Sequence, residues 1–217
     1  MRDTFTSVIF DLDGTLVDSA PDILASLDRA RDRLGLPRPS DWGRWRIGPP
    51  IAGIIGAAWP SLDADEVRRL ALAFREEYTH CDLADTRPFP GIQAVLDRAT
   101  RHAIPLFVAT NKPLVSTGQV LRHLGWETCF QDVVTVDSLP DVRLDKAAMV
   151  ARLCMVWGLE RDAGCVVGDS PQDIAAGKAN GLATCAAGWG YSSVETLAAA
   201  APDRLLSAPD DLLEFLA

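Results

Sequence analysis

The chain opens with a short apolar run, Ser7-Val8-Ile9-Phe10, that stops abruptly at Asp11. Four residues without polar alternation read as a strand buried on both faces. Pro21 to Leu34 changes period: Ile23, Leu27, Ala30 and Leu34 recur at helical spacing, and Gly35 supplies the stop. Ile51 to Trp59 reads as a small apolar helix. The next helix starts at a cap, Asp63 or Asp65, and runs to Tyr78 with Val67, Leu70, Ala71 and Phe74 on one face. After Arg87-Pro88-Phe89-Pro90-Gly91 the texture alternates. Strands are predicted over 105–109, 133–136, 165–167, 182–186 and 204–206. Helices are predicted over 92–102, 114–124, 146–157, 171–180, 194–200 and 210–216.

Strands alternating with helices make βαβ units and a parallel sheet. The first strand fits that sheet, whereas residues 17–86 are helical throughout by pattern. The expected fold is therefore α/β: a Rossmann-like doubly wound parallel sheet core over 1–16 and 87–217, with an inserted all-α cap over 17–86. Hinges are expected near 17–19 and 85–88.

The 217 residues are 48% apolar and 24% charged, enough to bury a core without disulfide or metal staples. A net charge of −9 with no basic run argues against nucleic-acid polymers and anionic membranes as partners. No apolar run approaches a membrane span, and the N-terminus meets acidic residues before a signal-peptide core forms. The five cysteines include no CxxC pair and read as buried free thiols, which fits a reducing, cytoplasmic compartment. Lysine occurs only at Lys112, Lys146 and Lys178, so each is weighed individually.

In open parallel sheets, ligands bind at the carboxyl edge of the strands. The first strand ends in Asp11-Leu12-Asp13-Gly14-Thr15. The 105–109 strand ends in Thr110-Asn111-Lys112. The 165–167 strand ends in Gly168-Asp169-Ser170, with Asp173 one helical turn on. Carboxylates, a hydroxyl and an ammonium thus converge on one edge. Carboxylates so crowded are costly without a cation. Oxygen-only donors favour Mg²⁺. One carboxylate is then free to attack phosphorus. A second, two residues away, is placed to protonate the leaving alkoxide and activate water.

The motifs DLDGT (11–15), ATN (109–111), a helix-opening Lys146 and GDSPQDI (168–174), in that order, resemble the haloacid dehalogenase-like phosphatases. The resemblance covers the whole chain. Within the family, RIGPPI, PFPGI, ATNKP and DIAAGKANG resemble phosphoglycolate phosphatase-type members, and some relatives with a similar cap act as 5′-nucleotidases. The resemblance implies Asp11 as nucleophile and metal ligand. It implies Asp13 as general acid and base that also binds Mg²⁺ through its backbone carbonyl. Thr110 and Asn111 would hold the phosphoryl group, Lys146 would pair with Asp11 and phosphate, and Asp169 would be a further metal ligand. Asp173 would stand behind the metal or reach it through water. Where many phosphoglycolate phosphatases carry Lys-Pro-x-Pro, this chain has Arg143-Leu144-Asp145-Lys146, so Lys112 competes with Lys146 for the phosphate-pairing role.

In the cap, Arg44 and Arg46 beside Gly48-Pro49-Pro50 either face a second anionic group of the substrate, with Arg46 the candidate contact, or form a solvated turn. Trp42, Trp45 and Trp59 read as cap core, and His80, His102 and His123 as exposed. Gly188-Trp189-Gly190-Tyr191 resembles a phosphate loop too weakly to count. The expected activity is Mg²⁺-dependent hydrolysis of a small phosphorylated metabolite through a phosphoaspartate. The first expectation for the substrate is 2-phosphoglycolate, the second a nucleoside 5′-monophosphate. A phosphomutase and a non-enzymatic phospho-receiver are the weaker alternatives.

Overall fold

The computed structural model describes residues 4–39 and 47–216. Its centre is a six-stranded sheet built from β1 (Ser7–Phe10), β4 (Leu106–Thr110), β5 (Asp132–Thr135), β6 (Gly164–Gly168), β7 (Ala183–Ala187) and β8 (Arg204–Leu206). The order is β5-β4-β1-β6-β7-β8, and every pairing is parallel. The chain winds outward from β1 to β4 and β5, then returns to lay β6 on the other side of β1. That reversal places the switch point of the doubly wound sheet at the end of β1.

The apolar runs become strands because both faces are covered. Val8, Phe10, Val108 and Val167 pack into one core cluster, while Ile9, Phe107, Ala109 and Val166 pack into another across the sheet. Phe10 and Phe107 are wholly buried, and each side chain of this size contributes about 1.5–3 kcal/mol by leaving water. The covering helices are α4 (Ile92–Arg101), α5 (Leu114–His123), α6 (Lys146–Trp157), α7 (Pro171–Ala179) and α8 (Val194–Ala199).

Three helices, α1 (Ala20–Arg33), α2 (Ile51–Ala58) and α3 (Ala64–Thr79), lie between the two passages to and from the sheet. Asp63 caps α3 by accepting from Asp65 and Glu66 N–H, and Glu66 returns the bond to Asp63 N–H. Trp59 is buried as expected and donates to Pro37 O at 2.8 Å. Arg44, Arg46, Trp42 and Trp45 lie outside the described residues.

Three readings are corrected. The segment 17–86 is not helical throughout: Val17–Asp18 forms β2, which pairs antiparallel with β3 (Arg87–Pro88) at the foot of the insertion. Two residues are too few to register as a period. The closing segment Pro209–Phe215 is a 3₁₀ helix rather than an α-helix. All five cysteines are free, but only Cys165 and Cys185 are buried; Cys81, Cys129 and Cys154 are half-buried.

Candidate active site

β1 ends at Phe10, and the next residue carries the carboxylate that the whole sheet edge surrounds. Asp11 and Asp13 are both buried. Asp11 N–H donates to Val167 O at 2.9 Å, which locks the residue to the end of β6. Gly14 follows with φ of +87°, which turns the chain away from the sheet. A Cβ there would lie 2.4 Å from Asp169 Oδ2, so the loop after β1 and the loop after β6 pack backbone to carboxylate.

The two lysines divide the two aspartates between them. Lys146, the first residue of α6, places Nζ 2.8 Å from Asp11 Oδ1, 2.9 Å from Asp173 Oδ1 and 2.9 Å from Ala109 O. The ammonium thus hydrogen-bonds Ala109 O and ion-pairs with both carboxylates. Lys112 instead grips Asp13, at 3.0 Å from Oδ1 and 3.1 Å from Oδ2, and its ammonium lies 4.6 Å from the centroid of the Tyr78 ring on α3. Lys146 is therefore the lysine beside Asp11. Burial disfavours the charge on both lysines, but the facing carboxylates outweigh it and hold both ammonium groups protonated above their ordinary range.

Thr110 and Asn111 sit at the end of β4. Thr110 Oγ1 accepts from Lys112 N–H at 3.1 Å, and Asn111 Nδ2 donates to Gly48 O and Gln172 Oε1, both at 3.2 Å. Asp173 closes a capping box on α7, with Oδ2 accepting from Ser170 Oγ at 2.6 Å and from its N–H at 3.1 Å. Asp173 Oδ1 has no hydrogen-bond partner and is answered by the Lys146 ion pair alone.

Asp169 differs. Its Oδ2 accepts from Tyr191 N–H at 2.7 Å, but Oδ1 is buried without a hydrogen-bond partner. Oxygens of Asp11, Asp169 and Asp173 lie within 4.8 Å of one another. Burial, then the neighbouring Asp11 and Asp173 charges, push the Asp169 carboxyl up to about 8. Burial also leads in raising Asp11 to about 6, with Lys146 opposing. An orphaned carboxylate oxygen among crowded acids is a donor set that fits a hard divalent cation such as Mg²⁺.

Two residues of this site went unread in the sequence. Ser19 Oγ donates to Asp13 Oδ1 at 2.5 Å, and Tyr191, in the discounted Gly-Trp-Gly-Tyr segment, packs behind Asp169. Neither carries a motif signal: a serine before a helix reads as a cap, and Tyr191 lies 22 residues beyond its partner. Above the acids, a cavity of about 450 Å³ runs between sheet edge and helical insertion. Phe74, Arg75 and Tyr78 of α3, Pro49 just before α2, Ile51 at its start, and Arg143 help line it.

The family model of the haloacid dehalogenase-like hydrolases matches residues 8–187. A phosphoglycolate phosphatase of Chromobacterium violaceum is 34% identical over 201 residues, covering 89% of each chain. A 5′-nucleotidase of Pseudomonas aeruginosa is 30% identical over 209 residues, covering 93% of this chain and 92% of its own. The crystal structure of a predicted phosphoglycolate phosphatase from Haemophilus somnus superposes with a TM-score of 0.83 at 28% identity, over 99% and 98% of the two chains. With the sheet order, the motif positions and these matches in agreement, the chain belongs to the haloacid dehalogenase-like hydrolase family and is an enzyme of that family.

Proposed function

We propose that this hydrolase is a Mg²⁺-dependent phosphomonoesterase working through a phosphoaspartate on Asp11. The observation that carries the reading is the division of labour at the end of β1. Asp11 lies against Lys146, beside the orphaned Asp169 oxygen, while Asp13 two residues on faces a separate lysine across the cavity floor. In the first step Asp11 Oδ attacks phosphorus, the ester bond breaks, and the leaving alkoxide takes a proton from Asp13. In the second step Asp13 removes a proton from water, the water oxygen attacks phosphorus, and Asp11 leaves with inorganic phosphate as product. Lys146 neutralises phosphoryl charge as it develops, and Thr110 and Asn111 orient the phosphoryl oxygens. Asp11, Asp169 and the Asp13 backbone carbonyl would hold Mg²⁺, which when bound offsets the charge of the phosphoryl oxygens. Asp173 fixes Lys146 from behind.

In this reading residues 17–86 act as a cap that covers the site in the core 1–16 and 87–217, excluding water other than the attacking one. The substrate is a small phosphorylated metabolite handled in the cytoplasm. The relatives' names support 2-phosphoglycolate first. The cavity supports a second reading, a nucleoside 5′-monophosphate: at about 450 Å³ it is three times the roughly 150 Å³ that holds a benzene ring in an engineered core. The test is phosphate release from a panel of phosphomonoesters with Mg²⁺ and with EDTA. Mg²⁺-dependent release is expected, and its peak assigns the substrate. Release without any transfer product separates hydrolysis from phosphomutase action. Well-folded protein releasing no phosphate from any ester overturns the proposal.

A further inference from the structure

α1 begins with a serine at its N-cap position, yet Ser19 makes no side-chain cap bond. Its hydroxyl is spent on Asp13, at 2.5 Å. The Tyr191 phenol oxygen, 172 residues away, accepts from Ser19 N–H at 2.9 Å and from Ala20 N–H at 3.0 Å, and Ala20 N–H is shared with Asp18 Oδ1 at 3.3 Å. The same phenol donates to Asp18 Oδ1 at 2.9 Å, at the end of β2. The Tyr191 ring meets Phe89, just after β3, edge-on at 6.3 Å between centroids. Its backbone N–H holds Asp169 Oδ2 at 2.7 Å, while Oδ1 is buried without a hydrogen-bond partner. The position leaves no slack: a Cβ on Gly190 would lie 2.3 Å from Asp169 Cβ and 2.3 Å from Gly14 O, and one on Gly14 would lie 2.6 Å from the Tyr191 ring.

We propose that Tyr191 is a positioning residue that caps α1 in place of Ser19, frees Ser19 to hold Asp13, and so ties the general acid to the foot of the cap. One residue then touches both hinge passages with its ring and phenol, and orients Asp169 with its backbone. The two functions separate by atom. Removing the phenol oxygen strips the cap and loosens Ser19 while leaving the N–H on Asp169. The step it serves is proton delivery to the leaving group, so the proposal rests on the phosphomonoesterase reading for its kinetic arm. Its structural arm stands apart from that reading.

The test is Tyr191→Phe beside Ser19→Ala and the double variant. In Tyr191→Phe, amide exchange at Ser19, followed by NMR, is expected to speed up about fivefold or more, the loss of one hydrogen bond, and that at Ala20 by less, because Asp18 Oδ1 still accepts from it. The melting-temperature rise on adding Mg²⁺ is expected to stay as in the wild type, because the backbone N–H to Asp169 remains. On an alkyl phosphate kcat is expected to fall on the order of tenfold more than on p-nitrophenyl phosphate, whose leaving group needs no proton. Ser19→Ala should show the same leaving-group bias, and the double variant should be no worse than the more affected single. A purely structural tyrosine would lower both substrates alike. Equal losses on both substrates, additive single effects, or unchanged amide exchange each overturn the proposal. A wild-type enzyme inactive on every ester overturns the function above, and the exchange experiment still decides the Tyr191 link.

Discussion

Four carboxylates stand at one sheet edge, those of Asp11, Asp169 and Asp173 within 4.8 Å of one another, and the charge arithmetic there is uneven. Lys146 answers Asp11 and Asp173, Lys112 answers Asp13, and the inner oxygen of Asp169 is answered by nothing in the protein. Burial with Asp11 and Asp173 beside it raises the Asp169 carboxyl to about 8, which marks its ionised form as disfavoured without a cation. Asp169→Asn removes that charge while keeping an acceptor for Tyr191 N–H. In EDTA near pH 9, where the wild-type carboxyl must ionise, the variant should melt above the wild type, at about 2–4 °C per kcal/mol of relieved repulsion for a chain of this size, whereas near pH 6, where Asp169 keeps its proton, the two should melt alike. Adding Mg²⁺ should raise the wild type and leave the variant unmoved. A Mg²⁺-induced rise of equal size in both would remove Asp169 from the metal site. Asp11→Asn makes the complementary case. It takes away the proposed nucleophile, so phosphate release should drop below detection, while circular dichroism and melting stay close to the wild type. An Asp11→Asn enzyme turning over near the wild-type rate would refute the phosphoaspartate.

At the scale of elements, what could be read in advance follows from how strongly each element is patterned. β1, β4 and β6 are unbroken apolar runs covered on both faces, and their ends carry polar residues with no role in packing, so strand and site were legible together. Lys146 was legible because a lysine at a helix start opposes the helix dipole and needs a reason. β2 and β3 were not legible, since a two-residue ribbon has no period. Ser19 and Tyr191 were not legible either, because their partners are set by how two loops pack and not by spacing. That packing is itself testable through glycines. Gly14 combines φ of +87° with a Cβ position 2.4 Å from Asp169 Oδ2, whereas Gly181 has φ of +71° and nothing nearer than Arg161 at 3.5 Å. Gly181→Ala should cost only the backbone strain of about 1–2 kcal/mol and keep its activity. Gly14→Ala pays the same strain and also displaces Asp169, so Mg²⁺-dependent turnover should fall by at least 10-fold beyond any stability loss (about 1.4 kcal/mol per decade). Equal activity in the two variants would show that the contact between the loops is idle.

For the whole molecule, the question is how firmly the helical insertion rests on the core away from its hinge. Asn111 Nδ2 reaches Gly48 O at 3.2 Å, Gln119 Nε2 reaches Thr79 O at 2.8 Å, and the Lys112 ammonium sits over Tyr78. Asn111 and Lys112 belong to the acid cluster, so Gln119 is the tie that can be cut without touching it. A single hydrogen bond contributes about 0.5–1.5 kcal/mol net, which makes docking an equilibrium that one substitution shifts several-fold. If the insertion acts as the proposed cap, Gln119→Ala should raise KM several-fold, because substrate binding must now also draw it down. It should not lower kcat, since no group at the reacting phosphorus has moved. If product escape through the opened cap limits turnover, wild-type kcat falls as solvent viscosity rises, and the variant, opening more readily, depends on viscosity less. Steady-state kinetics in graded glycerol measure both. A KM unchanged by Gln119→Ala would mean that α3 stays seated on the hinge and Tyr78 alone, and that the cap closes as a fixed roof instead of a moving one.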